Sequence, residues 1–221
     1  MSILNSPVLS GLRSNLRLAA DRLIDWRWRI NTLPEVDPAA NVGSSSEKAG
    51  KFDDATQNQP CSYLLVFWFV GRIVFKPDDV FFDIGCGNGR VLCYVARKRV
   101  SKAVGIELSP VFAAKATANA EQLSGRLSPI EVRCGDAAQM DYSDGTVFFL
   151  NNPFGSQTLQ LVLDNIKKTI ESNPRSIRIF YLNPFHSSVF RSSGWLKYAG
   201  AKKDSLIRQE MELWTYDGTR G

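Results

Sequence analysis

From residue 80 onward, short apolar runs alternate with stretches of helical period. Residues 80–84 (Val-Phe-Phe-Asp-Ile) form a compact β-rich run, and glycines follow from Gly85 to Gly89. Val91, Leu92, Val95 and Ala96 then share one helical face over residues 90–97. Residues 103–107 read as a second strand. Ser109 with Pro110 is a helix start, an N-cap residue before a proline at the first helical position. The alanine-rich helix so opened runs to about Leu123. Residues 130–134 and 146–150 read as strands three and four. Leu159, Val162, Leu163, Ile166 and Ile170 form an apolar stripe at helical spacing. Strand five is read at 177–182, and two more strands near 196–202 and 210–216. Repeated strand–helix units imply a parallel sheet covered on both faces, and the last pair, joined without an obvious helix, implies an antiparallel edge.

Upstream the pattern differs. Residues 1 to about 33 read as a helix, with Leu9, Leu12, Leu16, Leu23 and Ile30 near helical spacing and Arg13, Arg17, Arg22, Arg27 and Arg29 among them. Residues 34–60 are polar and rich in breakers, which predicts a loop or a covering lid. Tyr63 to Val70 is strongly apolar but far shorter than the ~18 residues of a membrane span, so a buried helix is expected and no membrane span. The 221 residues carry 27 Lys+Arg against 22 Asp+Glu, a net charge of +5 that permits acidic or nucleic-acid partners without requiring them. The four cysteines have no CxxC spacing and there is a single histidine, so no metal site is expected. The cysteines lie far apart or beside glycine and apolar residues, which suits a reducing, cytoplasmic compartment.

The chemistry gathers at strand ends. Asp83-Ile84-Gly85-Cys86-Gly87-Asn88-Gly89-Arg90 is a strand, a glycine turn and a helix start, the place where open α/β sheets bind ligands. A tight structural turn is the plainer alternative. Glu107 ends the second strand, where a carboxylate can accept both hydroxyls of a ribose. Asp136 follows the third, placed to accept from an adenine amine, and Asn151-Asn152-Pro153-Phe154 follows the fourth. The loop reads GxGxG rather than the GxGxxG of dinucleotide enzymes, with Asp83 two residues before its first glycine. That carboxylate would repel a pyrophosphate and favour a sulfonium with an α-amino group, hence S-adenosylmethionine over NAD.

These residues resemble the class I, seven-strand S-adenosylmethionine-dependent methyltransferases. Phe82 to Arg90 resembles their first motif, Gly105-Ile106-Glu107-Leu108-Ser109-Pro110 the second and Gly135-Asp136-Ala137 the third. The resemblance, over about residues 57–216, implies a three-layer, doubly wound seven-stranded sheet of order 3-2-1-4-5-7-6 with strand 7 antiparallel. Composition adds an N-terminal helical extension, and so an N-terminal helix and loop or lid over 1–60 before an S-adenosylmethionine-binding domain over 61–221. Gly85 and Gly87 would line the methionine moiety with Asp83 near its amino group. Glu107 would hold the ribose, and Asp136 and Ala137 the adenine. Cys86, Asn88, Leu108 and Asn151 lie in the same loops and complete the implied contacts. Tyr63 and residues 51–60 precede strand one, where a segment covering the cofactor would lie. The sequence is also similar to uncharacterised bacterial methyltransferase-like proteins and, more distantly, to non-SET lysine methyltransferases.

For the acceptor side, Asn151 and Asn152 can orient an amine through carbonyl oxygens, and Phe154 can pack beside its stem. Alternatively, Asn152-Pro153 ends the strand in a turn and Phe154 is core. His186, in Asn183-Pro184-Phe185-His186, follows strand five and has a pKa range suited to proton removal, or is structural. The expectation is methyl transfer from S-adenosylmethionine to an amine such as a protein lysine, leaving S-adenosylhomocysteine. Adenine-amino or small-molecule methylation, or a catalytically inactive cofactor-binding module, are the alternatives. The acceptor partner, protein or small molecule before nucleic acid, is not specified by sequence.

Overall fold

The computed structural model describes residues 7–33, with side chains from residue 14, and residues 61–204 and 209–218. The expected lid over 34–60 lies outside the described residues. Helix α1 (Pro7–Trp28) and the short α2 (Tyr63–Trp68), with a 3-10 turn at Val70–Arg72, precede the sheet. Then come β1 (Val80–Ile84), α3 (Arg90–Ala96), β2 (Lys102–Glu107), α4 (Pro110–Gln122) and β3 (Ile130–Cys134). A 3-10 turn at Ala137–Gln139 leads to β4 (Val147–Asn151), α5 (Ser156–Ser172), β5 (Ile177–Leu182), α6 (Ser187–Ser192), β6 (Lys197–Asp204) and β7 (Gln209–Tyr216).

The seven strands pair in the order β3-β2-β1-β4-β5-β7-β6. All pairings from β3 to β5 are parallel, and β7 runs antiparallel to both β5 and β6. This is the seven-strand order that the resemblance implied. In β1 the pleat sends successive side chains to opposite layers. Phe81 joins the core formed with α2 and α3, while Phe82 and Ile84 join the core formed with α5 and α6. All five β1 residues are buried, as a central parallel strand requires. The α5 stripe of Leu159, Val162, Leu163, Ile166 and Ile170 faces the sheet and is buried throughout, each contributing about 1.5–3 kcal/mol by leaving water.

Three local expectations are corrected. The first helix ends at Trp28 rather than near residue 33. Arg29 turns into the left-handed region (φ 62°), the Arg29 N–H donates to Trp26 O and the Ile30 N–H donates to Asp25 O, which closes the helix in a Schellman turn. The leucine stripe of that helix is not its packed face: Leu16 and Leu23 are exposed, whereas Asp21, Asp25 and Trp28 are buried. Helix α6 has no counterpart in the sequence reading, because six residues with only Val189 and Phe190 buried give no periodic signal.

Candidate active site

The parallel strands β1 to β4 carry their following loops to one edge of the sheet, and the chain reverses direction across the sheet between β1 and β4. That reversal opens a crevice at the carboxyl ends. The glycine loop lies beside it. The N–H groups of Gly85 and Cys86 both donate to Ile106 O at 2.9 Å, tying the loop to β2. Gly85, Gly87 and Gly89 all have positive φ (78°, 54° and 82°). At Gly85 a Cβ would lie 2.5 Å from Pro153 Cβ, so glycine is needed for space as well as for conformation. The same contact seats the loop after β4 directly on the loop after β1.

Glu107, at the end of β2, accepts from the Gly87 N–H through Oε2 (2.8 Å) and from the Ser109 N–H through Oε1 (2.9 Å). A carboxylate has about four acceptor positions. The Leu108 N–H also donates to this carboxylate, which leaves acceptor capacity for a further hydroxyl donor. Burial raises its pKa, against the lowering effect of those N–H donors. Asp83 is 3% exposed, and burial pushes its carboxyl from 3.8 up to about 7, with Glu107 adding to the rise and the Leu92 N–H opposing it. A buried carboxyl so destabilised is a partner for a cationic ligand group. Cys86 is buried with its thiol held well above the usual range by desolvation, so it packs and does not react. Asn88 donates from Nδ2 to Leu33 O at 2.9 Å, while its buried Oδ1 has no partner among the described residues.

Asp136 caps the 3-10 turn: Oδ1 accepts from the Ala138 N–H (2.9 Å) and Oδ2 from Gln139 Nε2 (3.0 Å). Ala137 follows it, its carbonyl accepting from the Tyr142 hydroxyl at 2.7 Å. Leu108 is 38% exposed beside this edge. Glu107 O accepts from the Gly135 N–H at 2.8 Å and so ties the ends of β2 and β3 together.

On the acceptor side, Asn152 and Asn183 both sit in the left-handed region (φ 44° and 55°), a conformation asparagine tolerates better than most residues. The sequence echo Leu-Asn-Asn-Pro-Phe and Leu-Asn-Pro-Phe is thus a pair of matching strand-end turns. The two are cross-linked: Asn183 Nδ2 donates to Asn151 Oδ1 at 2.8 Å, and the Tyr181 hydroxyl donates to Asn152 Oδ1 at 2.9 Å. Burial raises the Tyr181 phenol to about 12, so it keeps its proton and donates. The His186 backbone N–H donates to the same hydroxyl at 3.3 Å, and His186 occupies the N-cap position of α6 without a side-chain capping bond. Asn152 and the His186 backbone are therefore brought together through Tyr181, a residue that no sequence motif marks, and Asn151 is held separately by Asn183. Phe154 is 8% exposed and lies in the core with α5, the structural alternative for that position.

Tyr63 spends its polar groups on α1. Its hydroxyl donates to Asp25 Oδ1 at 2.6 Å and its N–H to Asp21 Oδ1 at 3.0 Å, and its side chain is 1% exposed against Trp28. It belongs to a buried network centred on Arg90, the first residue of α3. Arg90 pairs with Asp21 at 2.8 Å, donates from Nε to Thr32 Oγ1 at 2.7 Å and covers the Tyr63 ring. Asn119 of α4 donates to both Asn31 O and Asn88 O at 2.9 Å. Residues 30–33 are thereby fastened to the glycine loop. The sequence signal for this network was slight: Asp21 and Asp25, four residues apart with Trp28, the buried face that the leucines obscured.

Residues 81–171 match the protein family described as Methyltransferase domain. Over 83 residues the chain is 37% identical to a protein-lysine N-methyltransferase of Saccharolobus islandicus (strain REY15A), a stretch covering 35% of this chain and 50% of that protein. The chain thus spans about half the length of this curated relative. The fold is similar to that of an RNA methyltransferase from Salinibacter ruber in complex with S-adenosyl-L-homocysteine, with a TM-score of 0.54 and 21% identity over 74% of this chain and 97% of that one. It is also similar to a protein of the NADB-Rossmann superfamily from Streptococcus agalactiae, with a TM-score of 0.54 and 12% identity over 70% of this chain and 69% of that one. The resemblance to seven-strand, S-adenosylmethionine-dependent methyltransferases read from the three motifs holds for sequence and sheet order alike.

Proposed function

We propose that the protein transfers a methyl group from S-adenosylmethionine to an amine nitrogen, with a protein lysine as the acceptor. The observation that carries this reading is the seating of Pro153 on Gly85, which joins the cofactor loop to the Asn151–Asn152 turn in one crevice. When bound, S-adenosylmethionine supplies an electrophilic methyl on a sulfonium. The residues present fit it: Asp83 is a buried carboxyl suited to an ammonium, Glu107 has acceptor capacity for ribose hydroxyls, and Asn88 Oδ1 is a buried acceptor in need of a donor. Asp136 and Ala137 would hold the adenine edge, with the Gln139 amide giving way to the ring amine.

The acceptor amine must arrive neutral and in line. Asn151 and Asn152 orient it through oxygens that Asn183 and Tyr181 hold in place, so the site spends positional order rather than a strong base. The lysine assignment is supported by the relative from Saccharolobus islandicus, itself a protein-lysine N-methyltransferase. The test is transfer of label from methyl-tritiated S-adenosylmethionine in a cell extract. Label in protein, recovered as methyl-lysine on hydrolysis, is expected. Label confined to nucleic acid or small molecules would overturn the acceptor assignment, and none at all would leave a cofactor-binding module.

A further inference from the structure

Helix α1 is amphipathic in the reverse sense. Its acids face inward, where Asp21 pairs with Arg90 and Asp25 accepts from Thr32 and the Tyr63 hydroxyl. Its apolar line faces water: Leu16, Ala19, Leu23 and Trp26 recur at spacings of three and four, and Leu16 and Leu23 are 63% exposed and Trp26 75%. Residues 14–20 are exposed all round, so this part of the helix stands off the domain. Exposing leucines while burying carboxylates runs against the ordinary partition of side chains, and such a face marks a contact surface. A helix standing alone in water is marginal, so it gains from a partner.

Charge narrows the partner. Arg22 and Arg27 flank the apolar line on its two sides, and Arg17 and Arg29 add charge nearby, all four exposed and with no carboxylate pairing among the described residues. A second copy would bring arginine against arginine. A nucleic acid would satisfy the arginines but leave Leu16 and Leu23 in water. An anionic lipid surface satisfies both: leucines enter the acyl boundary, the Trp26 indole lies at headgroup level, and arginines reach the phosphates. A hollow of about 520 Å³ lies beside Trp26, bordered by Ile30 and Ala118 as well as by Arg29 and Lys115, so apolar and cationic groups adjoin there too.

We propose that α1 docks the protein on an anionic membrane surface, lying in the interface rather than crossing the bilayer. The experiment is co-sedimentation of the full chain with phosphatidylcholine vesicles, with and without phosphatidylglycerol. Binding is expected only with the anionic lipid and should weaken with salt. The pair Leu16→Glu/Leu23→Glu and, separately, the pair Arg22→Glu/Arg27→Glu should each lower partitioning by about tenfold or more with the thermal midpoint unchanged. These positions are exposed, so folding is preserved, and the two pairs check each other. No sedimentation with anionic vesicles would overturn the proposal, as would undiminished binding by the leucine pair. So would a salt-sensitive complex with single-stranded RNA that survives the leucine substitutions while vesicles fail to bind. A dimer in solution that the leucine pair abolishes, without vesicle binding, would overturn it in favour of self-association.

Discussion

Replacing Asp83 by asparagine separates what the buried carboxyl costs from what it binds. Its pKa rises from 3.8 to about 7 because burial disfavours the anion. Below pH 4 both folded and unfolded chains hold the proton, and the group is neutral in its effect. Between about 4 and 7 the unfolded chain releases it while the folded chain keeps it, so stability falls as pH rises through this window and levels off above it. At about 1.36 kcal/mol per pH unit the loss reaches about 4 kcal/mol. Asp83→Asn carries no such charge. In urea titrations of the ligand-free protein, the wild type is expected to lose stability from pH 5 to 8 relative to the variant, which should be the more stable of the two at pH 8. S-adenosylhomocysteine should reverse the ranking: its ammonium favours the anion, so wild-type affinity increases with pH over the same window, with proton release near pH 6 visible as a buffer-dependent calorimetric enthalpy. Asp83→Asn should bind weakly at every pH. Parallel stability profiles for the two proteins would refute the claim that this carboxyl is held protonated by burial.

Other consequences are equally concrete. Glu107→Ala should weaken S-adenosylhomocysteine by roughly 1–3 kcal/mol in calorimetry, through lost charged hydrogen bonds. Gly85→Ala drives a Cβ against Pro153 at a φ of 78°, and should abolish cofactor binding at temperatures where circular dichroism shows the protein still folded. Arg90→Met strands Asp21 as a buried, unpaired carboxylate, with an expected cost of about 3–5 kcal/mol in chemical denaturation. Tyr181→Phe removes the donor that holds Asn152 Oδ1 and should lower kcat by about tenfold while leaving S-adenosylhomocysteine affinity unchanged.

Much of this protein could be read from its linear order. Strand–helix alternation and the glycine loop depend on local periods and on residues whose backbone preferences are intrinsic, so β1 to β5 and the loops that follow them were legible. The motif carboxylates Asp83, Glu107 and Asp136 were legible too, because a parallel strand delivers its last residue to one known edge. The partners of these groups were not. Whether Tyr63 faces a cofactor or Asp25 depends on how α1 meets α2, a contact between residues 38 positions apart in sequence. The orientation of α1 could not be decided from periodicity, since its leucines and its acids each satisfy a helical repeat. Only the packed structure shows that Arg90 takes Asp21, that Thr32 and Tyr63 take Asp25, and that the leucines are left to water. Tyr181 was hidden for a related reason: as one apolar-looking position in a buried strand it carries no signal until Asn152, 29 positions back in the chain and at the end of the neighbouring strand, accepts its hydroxyl. Local sequence sets the elements and the edge where chemistry gathers, because those follow from short-range sterics and hydrophobic period. Tertiary packing decides which polar groups are spent on each other and which stay available for a ligand, because that depends on burial, and burial is a property of the assembled chain.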